Sequence, residues 1–256
     1  MRRIGVTFFI GIVMALFTLG KYYFNTTTNE ITGEEQHITL TPEEEIALGL
    51  QSRGQMAQQH GGLDASEPDQ RLVDVIGERL VTRTAAAQTP YRYEFHLLAD
   101  PNTVNAFALP GGQIFITRAL YTRLQDENQL AGVLGHEIGH VVARHSAERI
   151  SQQMLAEGLT GAAVMASGSY GGGQMAAVVA NVVSMSYGRE QELESDELGV
   201  RFMMRAGFEP EALIGVMDIL EAASGGSSRQ PEFASTHPAP ENRRQRIREA
   251  IVKYGG

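Results

Sequence analysis

Near the middle of the chain, residues 134–145 read "LGHEIGHVVARH". His136 and His140 stand four apart, with Glu137 directly after the first. On a helix, positions i and i+4 share a face, so two imidazoles at this spacing converge on one ion. Glu137 lies one position round, badly placed to ligate but within reach of a water beside that ion. Zinc-assisted hydrolysis divides labour in this way. Two neutral histidines hold the metal, the metal brings the pKa of water toward neutrality, and a carboxylate takes the proton as water attacks a peptide carbonyl. The bland alternative is a solvated helix face. Leu130, Val133, Leu134, Ile138, Val141 and Val142 argue against it, because they would bury most of this helix. Gly135 and Gly139 each cost about 1 kcal/mol of helix stability relative to alanine, which makes sense where another segment must approach closely.

Two histidines do not complete such a site; a third ligand is required. The charged segment "REQELESDELG", residues 189–199, offers carboxylates. Glu192 and Asp196 share a helix face at i, i+4. An acid one turn beyond a ligating carboxylate can accept the ring N–H of a ligand histidine and fix its tautomer. Glu190, Glu194 and Glu197 compete for the ligand's place, and the run also suits a solvated acidic face. His37, His60, His96 and His145 are not expected to be ligands. Arg144 and Arg243 could pair with acids near the site, without assignment.

These residues need elements to position them. Thr41-Pro42-Glu43-Glu44 is a helix start, with a threonine cap, proline at the first position and glutamate three after the cap; the helix should run to about Gln58. His60-Gly61-Gly62 breaks it, and Leu72, Val73, Ile76, Leu80 and Val81 recur at helical spacing over 69–84. Tyr93, Phe95 and Leu97 alternate as in a strand. "NAFALPGGQIFIT", residues 105–117, reads as two strands joined by a tight Pro-Gly-Gly turn. Asp126 should cap the histidine-bearing helix, extending to about Ser151. Helices are expected from about Arg189 to Met204, from Pro210 to Ala223 and from Pro240 onward. Residues 158–188 carry no charge and are rich in Gly, Ala and Ser; small-residue helices packed against the histidine-bearing helix are expected there. The segment from Ser224 through Gly225-Gly226-Ser227-Ser228 reads as a flexible loop.

The chain has 256 residues, a net charge of −9 and no cysteine. Thiolate metal ligands, disulfides and a cysteine nucleophile are therefore excluded, and no basic stripe points to nucleic acid. Arg2 and Arg3 precede an uncharged run from Ile4 to Gly20, followed by Lys21, Tyr22 and Tyr23. A membrane-spanning helix needs about 20 apolar residues, with about 17 the lower limit. No Ala-x-Ala cleavage site follows the run. The leading arginines favour a cytoplasmic N-terminus and the tyrosines suit headgroups. The expectation is a membrane anchor or signal sequence over 1–24, a polar linker over 25–39 and a metallopeptidase domain over 40–256.

Four motifs in order, "NAFALPGG", "HEIGH", "YGREQELESDELG" and "STHPAPENR", resemble those of the membrane-associated HExxH zinc metallopeptidases. That family includes the CAAX prenyl endopeptidase, HtpX and BepA, and the smaller envelope members such as LoiP are nearest in character. The likeness extends over roughly residues 40 to 250. It implies an α+β zincin-type fold, mostly helical with a small sheet, on one N-terminal membrane helix, holding one Zn2+ per chain. It selects Glu192 as the third ligand beside His136 and His140, with Asp196 behind, and Glu137 as general base; Ser195 stands where alanine is usual. It further implies that the strand at Asn105, Ala106, Phe107 and Ala108 receives substrate in extended form through backbone bonds. His237, in "STHPAPENR", would contact the metal in the resting enzyme and restrain it. Donation to a developing oxyanion, or anchoring of the last helix, are its other roles. The implied protein is an endopeptidase of the bacterial cell envelope, acting on misfolded or unassembled proteins with its catalytic part outside the cytoplasm. Its partners would be protein or peptide substrates and the membrane. A zinc-containing chaperone or assembly factor with secondary peptidase activity is the alternative. A prenyl-protein endopeptidase would need several membrane spans.

Overall fold

The computed structural model describes residues 2–167, 186–224, 232–238 and 242–255. Helix α1 (Arg2–Phe24) leads into a two-stranded antiparallel hairpin, β1 (Thr26–Thr28) and β2 (Glu35–His37). Helices α2 (Pro42–Gln59) and α3 (Glu67–Thr82) follow. Strands β3 (Glu94–Leu98), β4 (Ala106–Leu109) and β5 (Gln113–Thr117) make one sheet, followed by a short α4 (Arg118–Tyr121). The remaining elements are α5 (Glu127–Val142), α6 (His145–Ser167), α7 (Arg189–Ala206), α8 (Ala212–Ser224), α9 (Glu232–Thr236) and α10 (Arg243–Tyr254). The expected Ser224–Ser228 loop and the second half of the uncharged 158–188 stretch lie largely outside the described residues, as does the expected start of the last helix at Pro240.

Local chemistry sets the helix starts. The Thr41 hydroxyl accepts from the Glu44 amide at 3.3 Å, and the Glu44 carboxylate accepts from the Thr41 amide at 2.8 Å. This reciprocal cap satisfies two donors that the first helical turn leaves unpaired. Asp126 caps α5 in one direction only, accepting from the Gln129 amide at 2.9 Å.

In the sheet, β5 is central, parallel to β3 and antiparallel to β4, with Phe107 opposite Phe115. Alternation separates its faces. Ala106, Ala108, Ile114 and Ile116 join the core built by α3 and α5, while Phe107, Leu109 and Phe115 pack with Met56 and Ala57 of α2. The sheet is thus sandwiched, and α5 lies buried behind it.

Three features depart from expectation. The histidine-bearing helix stops at Val142, not near Ser151, because Arg144 adopts a left-handed conformation (φ 59°) and a new helix begins at His145. The Arg144 side chain is held by the Glu45 carboxylate, 2.9 Å from Nε, and by the Leu40 carbonyl, 3.0 Å from a terminal nitrogen. Those contacts stabilise a backbone conformation that side chains other than glycine seldom adopt. Second, residues 25–39 are a docked hairpin. The Asn29 and Gln36 side-chain amides donate to the carbonyls of Val142 and Ala143, at 2.8 and 2.6 Å. They cap the end of α5, where carbonyls lack helical partners. Third, the described part of the small-residue stretch packs along α1. A Cβ at Gly158 would come within 2.6 Å of the Thr18 side chain, so a larger residue there would push the two helices apart.

Candidate metal centre

Helix α5 brings His136, Glu137 and His140 into the interior, and all three are at most 2% exposed. Helix α7 crosses α5 and adds Glu192. A Cβ on Gly139 would stand 2.9 Å from the Ser195 carbonyl oxygen, and one on Gly199 would stand 3.2 Å from the His136 amide nitrogen. Glycine on both helices lets the backbones approach closely enough for side chains from each to meet.

One ligand atom from each of His136, His140, Glu192 and His237 lies within 4.8 Å of the others. The Nε2 atoms of His136 and His140 are 3.0 Å apart, and Glu192 Oε1 is 3.3 Å from His140 Nε2. His237 arrives just beyond α9, its Nδ1 3.0 Å from Glu192 Oε1. Of the carboxylates that competed on sequence, Glu192 is fully buried in the cluster, Glu194 faces His145, and Glu197 bonds Lys253 and Tyr254 at the surface.

The residue fit to a metal rests on unsatisfied polar atoms. Both oxygens of Glu137 and Nε2 of His237 are buried without a hydrogen-bond partner, which is costly unless another polar group or ion fills the space between them. Glu137 Oε1 lies 3.6 Å from His237 Nε2. Burial pushes the Glu137 carboxyl above its ordinary range, and nearby His237 and His136 only partly offset this. Burial would raise Glu192 as well, but His237 and His136 beside it hold it well below that range. The two neighbouring carboxylates are thereby driven apart, one toward proton acceptance and one toward permanent charge.

Asp196 accepts from His136, Oδ1 to Nδ1 2.9 Å. Arg243, from the end of "STHPAPENR", donates to both Asp196 oxygens at 2.5 and 2.9 Å, and its third nitrogen is 3.2 Å from Glu192 Oε2. Burial works against the Asp196 charge, yet Arg243 and His136 outweigh it and keep the carboxyl below its usual value. Arg144, the other arginine considered, serves Glu45 instead. Sequence reasoning missed two rings: Tyr187 stacks on His140 with centroids 3.8 Å apart, and Phe233 stacks on His237 at 4.3 Å. The tyrosine opens the "YGREQELESDELG" motif.

Ala106, Phe107 and Ala108 belong to β4, an outer strand of the described sheet beside β5, and Asn105 immediately precedes it. All four are buried. Part of the reason is α9: the Phe233 amide donates to the Val104 carbonyl at 3.2 Å, and the Asn105 side-chain amide donates to Glu232 at 3.0 Å.

A buried HExxH helix, crossed at glycine contacts by a helix carrying glutamate and aspartate one turn apart, defines a zincin-type metallopeptidase. The sequence profile of peptidase family M48 matches residues 67–251, and the chain belongs to that family. It is similar to the beta-barrel assembly-enhancing protease of Escherichia coli, 33% identical over 183 residues covering 68% of this chain and 37% of that protein. The mitochondrial metalloendopeptidase OMA1 of Schizosaccharomyces pombe is 32% identical over 189 residues, 73% of this chain and 54% of the relative. Metalloprotease YcaL of Escherichia coli is 28% identical over 167 residues, 64% of this chain and 63% of the relative. The matched region thus spans about a third to a half of the first two relatives.

Proposed function

We propose that this chain is a zinc-dependent endopeptidase of the bacterial cell envelope, held at a membrane by α1 with its catalytic part outside the cytoplasm. The observation that carries the hydrolytic reading is the buried Glu137 carboxylate, which has no hydrogen bond and lies 3.6 Å from His237 in the convergent set of three imidazoles and one carboxylate. Nitrogen and carboxylate ligands without thiolate suit Zn2+ among the common ions. His136, His140 and Glu192 would hold it, with Asp196 and Arg243 fixing the orientation of His136. When bound, zinc polarises a peptide carbonyl and makes water acidic enough to attack it at neutral pH.

Glu137 is the proton acceptor in this reading. Its burial makes the carboxylate more basic than an exposed one, which suits proton transfer near neutrality. It then returns the proton to the leaving amine. Substrate would add to β4 at Asn105, Ala106, Phe107 and Ala108, where its backbone can bond irrespective of side chains. A site with every ligand at most 2% exposed meets a polypeptide only after α9 and His237 withdraw. The burial of His237 within this cluster supports the reading of His237 as a latch that restrains the resting enzyme. The names of the relatives, one an assembly-enhancing protease, support a role toward misfolded or unassembled envelope proteins. A zinc-stabilised chaperone would need no unpaired carboxylate beside the ion, and Glu137 disfavours that reading.

The test compares two variants for bound zinc and casein hydrolysis. Glu137→Gln should keep zinc near one per chain and lose hydrolysis, whereas Glu192→Ala should lose both. Retained proteolysis in Glu137→Gln would sink the assignment of the base. Loss of zinc through Glu190→Ala or Glu194→Ala, with Glu192→Ala unaffected, would show that another carboxylate is the ligand.

A further inference from the structure

His145 is 1% exposed, and the hydrolytic scheme leaves it without a role. It follows Arg144, whose left-handed backbone (φ 59°) turns the chain back so that His145 faces His140. The two Nδ1 atoms are 2.9 Å apart, and His145 Nε2 is 2.9 Å from Glu194 Oε2. Ser195 Oγ stands further off, 3.4 Å from His145 Nδ1.

A hydrogen bond between two ring nitrogens needs one N–H and one lone pair. His140 turns Nε2 toward His136 and Glu192. A neutral imidazole that offers its Nε2 lone pair to a metal carries its proton on Nδ1. His140 must then donate, and His145 must accept at a bare Nδ1. The proton of His145 consequently sits on Nε2, where the Glu194 carboxylate accepts it. Every bond in this chain points the same way, so Glu194 selects the tautomer of His145, and His145 selects that of His140.

We propose that His145 and Glu194 are positioning residues that lock His140 as a metal ligand, as Asp196 and Arg243 do for His136. The proposal rests on the metal-binding reading above. Glu194 is the outer end of the relay. It lines a cavity of about 350 Å3 with Glu148, Glu190 and Arg201, so the relay joins the buried centre to the surface through two side chains. Partners of this kind are worth about 10- to 100-fold in metal affinity.

The experiment is Zn2+ affinity of the full chain, measured by competition with a chromophoric chelator. Alanine at position 145, His145→Ala, should weaken zinc about 10- to 100-fold. His145→Asn keeps an oxygen near the place of Nδ1 and should recover most of that loss. Adding Glu194→Ala to His145→Ala should change affinity no further, although Glu194→Ala alone weakens it. A side chain needed only for packing would give additive losses and no rescue by asparagine, and either result overturns the relay. Wild-type affinity in His145→Ala overturns it too. Should His145→Ala not fold, His145→Asn and Glu194→Ala carry the test: near-wild-type affinity in the first with weakening in the second supports the relay, and no weakening in the second overturns it. Failure of the wild-type chain to bind zinc would instead remove the metal-binding reading itself.

Discussion

His237 joins His136, His140 and Glu192 in the buried cluster. Its Nδ1 is 3.0 Å from Glu192 Oε1 and 3.3 Å from His136 Nε2, and its ring is held by the stack on Phe233. Its backbone amide also donates to the Phe233 carbonyl at 2.7 Å, so both ring and backbone tie His237 to helix α9. A latch and an oxyanion donor differ in sign under substitution. With His237→Ala, turnover of an unstructured peptide is expected to stay unchanged or rise while zinc is retained. A donor to the developing oxyanion would instead show a fall of about a hundredfold or more, and that result with zinc still bound would make His237 catalytic. Steady-state rates together with metal content separate the two.

Among the elements, the α5–α7 crossing is the contact on which the site depends. Gly139→Ala gains up to about 1 kcal/mol in helix propensity. The new Cβ, however, would meet the Ser195 carbonyl oxygen at 2.9 Å and its Cα at 3.1 Å, and backbone atoms cannot step aside as a side-chain tip can. Overpacking of this kind costs about 1–3 kcal/mol, so the melting temperature should fall. Zinc should weaken as well, because α7 carries Glu192 away from the histidines. Gly54→Ala is the control: it lies in α2 with nothing within 4 Å of the added Cβ, and a small stabilisation is expected. Equal thermal shifts of the same sign in both variants would show that propensity, and not close approach, sets the choice of glycine at 139.

For the whole molecule, α1 is little accounted for by burial. Val6–Phe24 is long and apolar enough to cross a membrane, and Leu16 and Phe17 are 64% and 73% exposed. Its opposite side lies along α6, so the anchor reading requires lipid on one face and protein on the other. The full chain should stay with membranes through carbonate extraction, and a chain starting at Asn25 should be soluble and hydrolyse casein. A mature N-terminus beginning after Gly20 would identify a cleaved signal and refute the anchor. The division between what sequence and fold each decide follows from distance along the chain. The "HEIGH" spacing, the caps at Thr41 and Asp126, the strand alternation and the glycine signal at 135 and 139 are local, because each depends on periodicity or on contacts within four residues. Helix spacing makes the acidic run legible as a source of ligands and leaves the choice among its glutamates open, since they differ only in which face α7 turns to α5; the family resemblance alone singles out Glu192. Packing decides which of these acids are buried: Glu192 and Asp196 are, while Glu197 bonds Lys253 at the surface. Nothing in the sequence announced the left-handed turn at Arg144, which is held by Glu45 99 residues away. The meeting of His136 with Asp196, 60 residues apart, and with His237, 101 residues apart, likewise belongs to the tertiary structure. Residue spacing prescribes which groups share a helix face, but only the burial of that face against another element decides which of them meet.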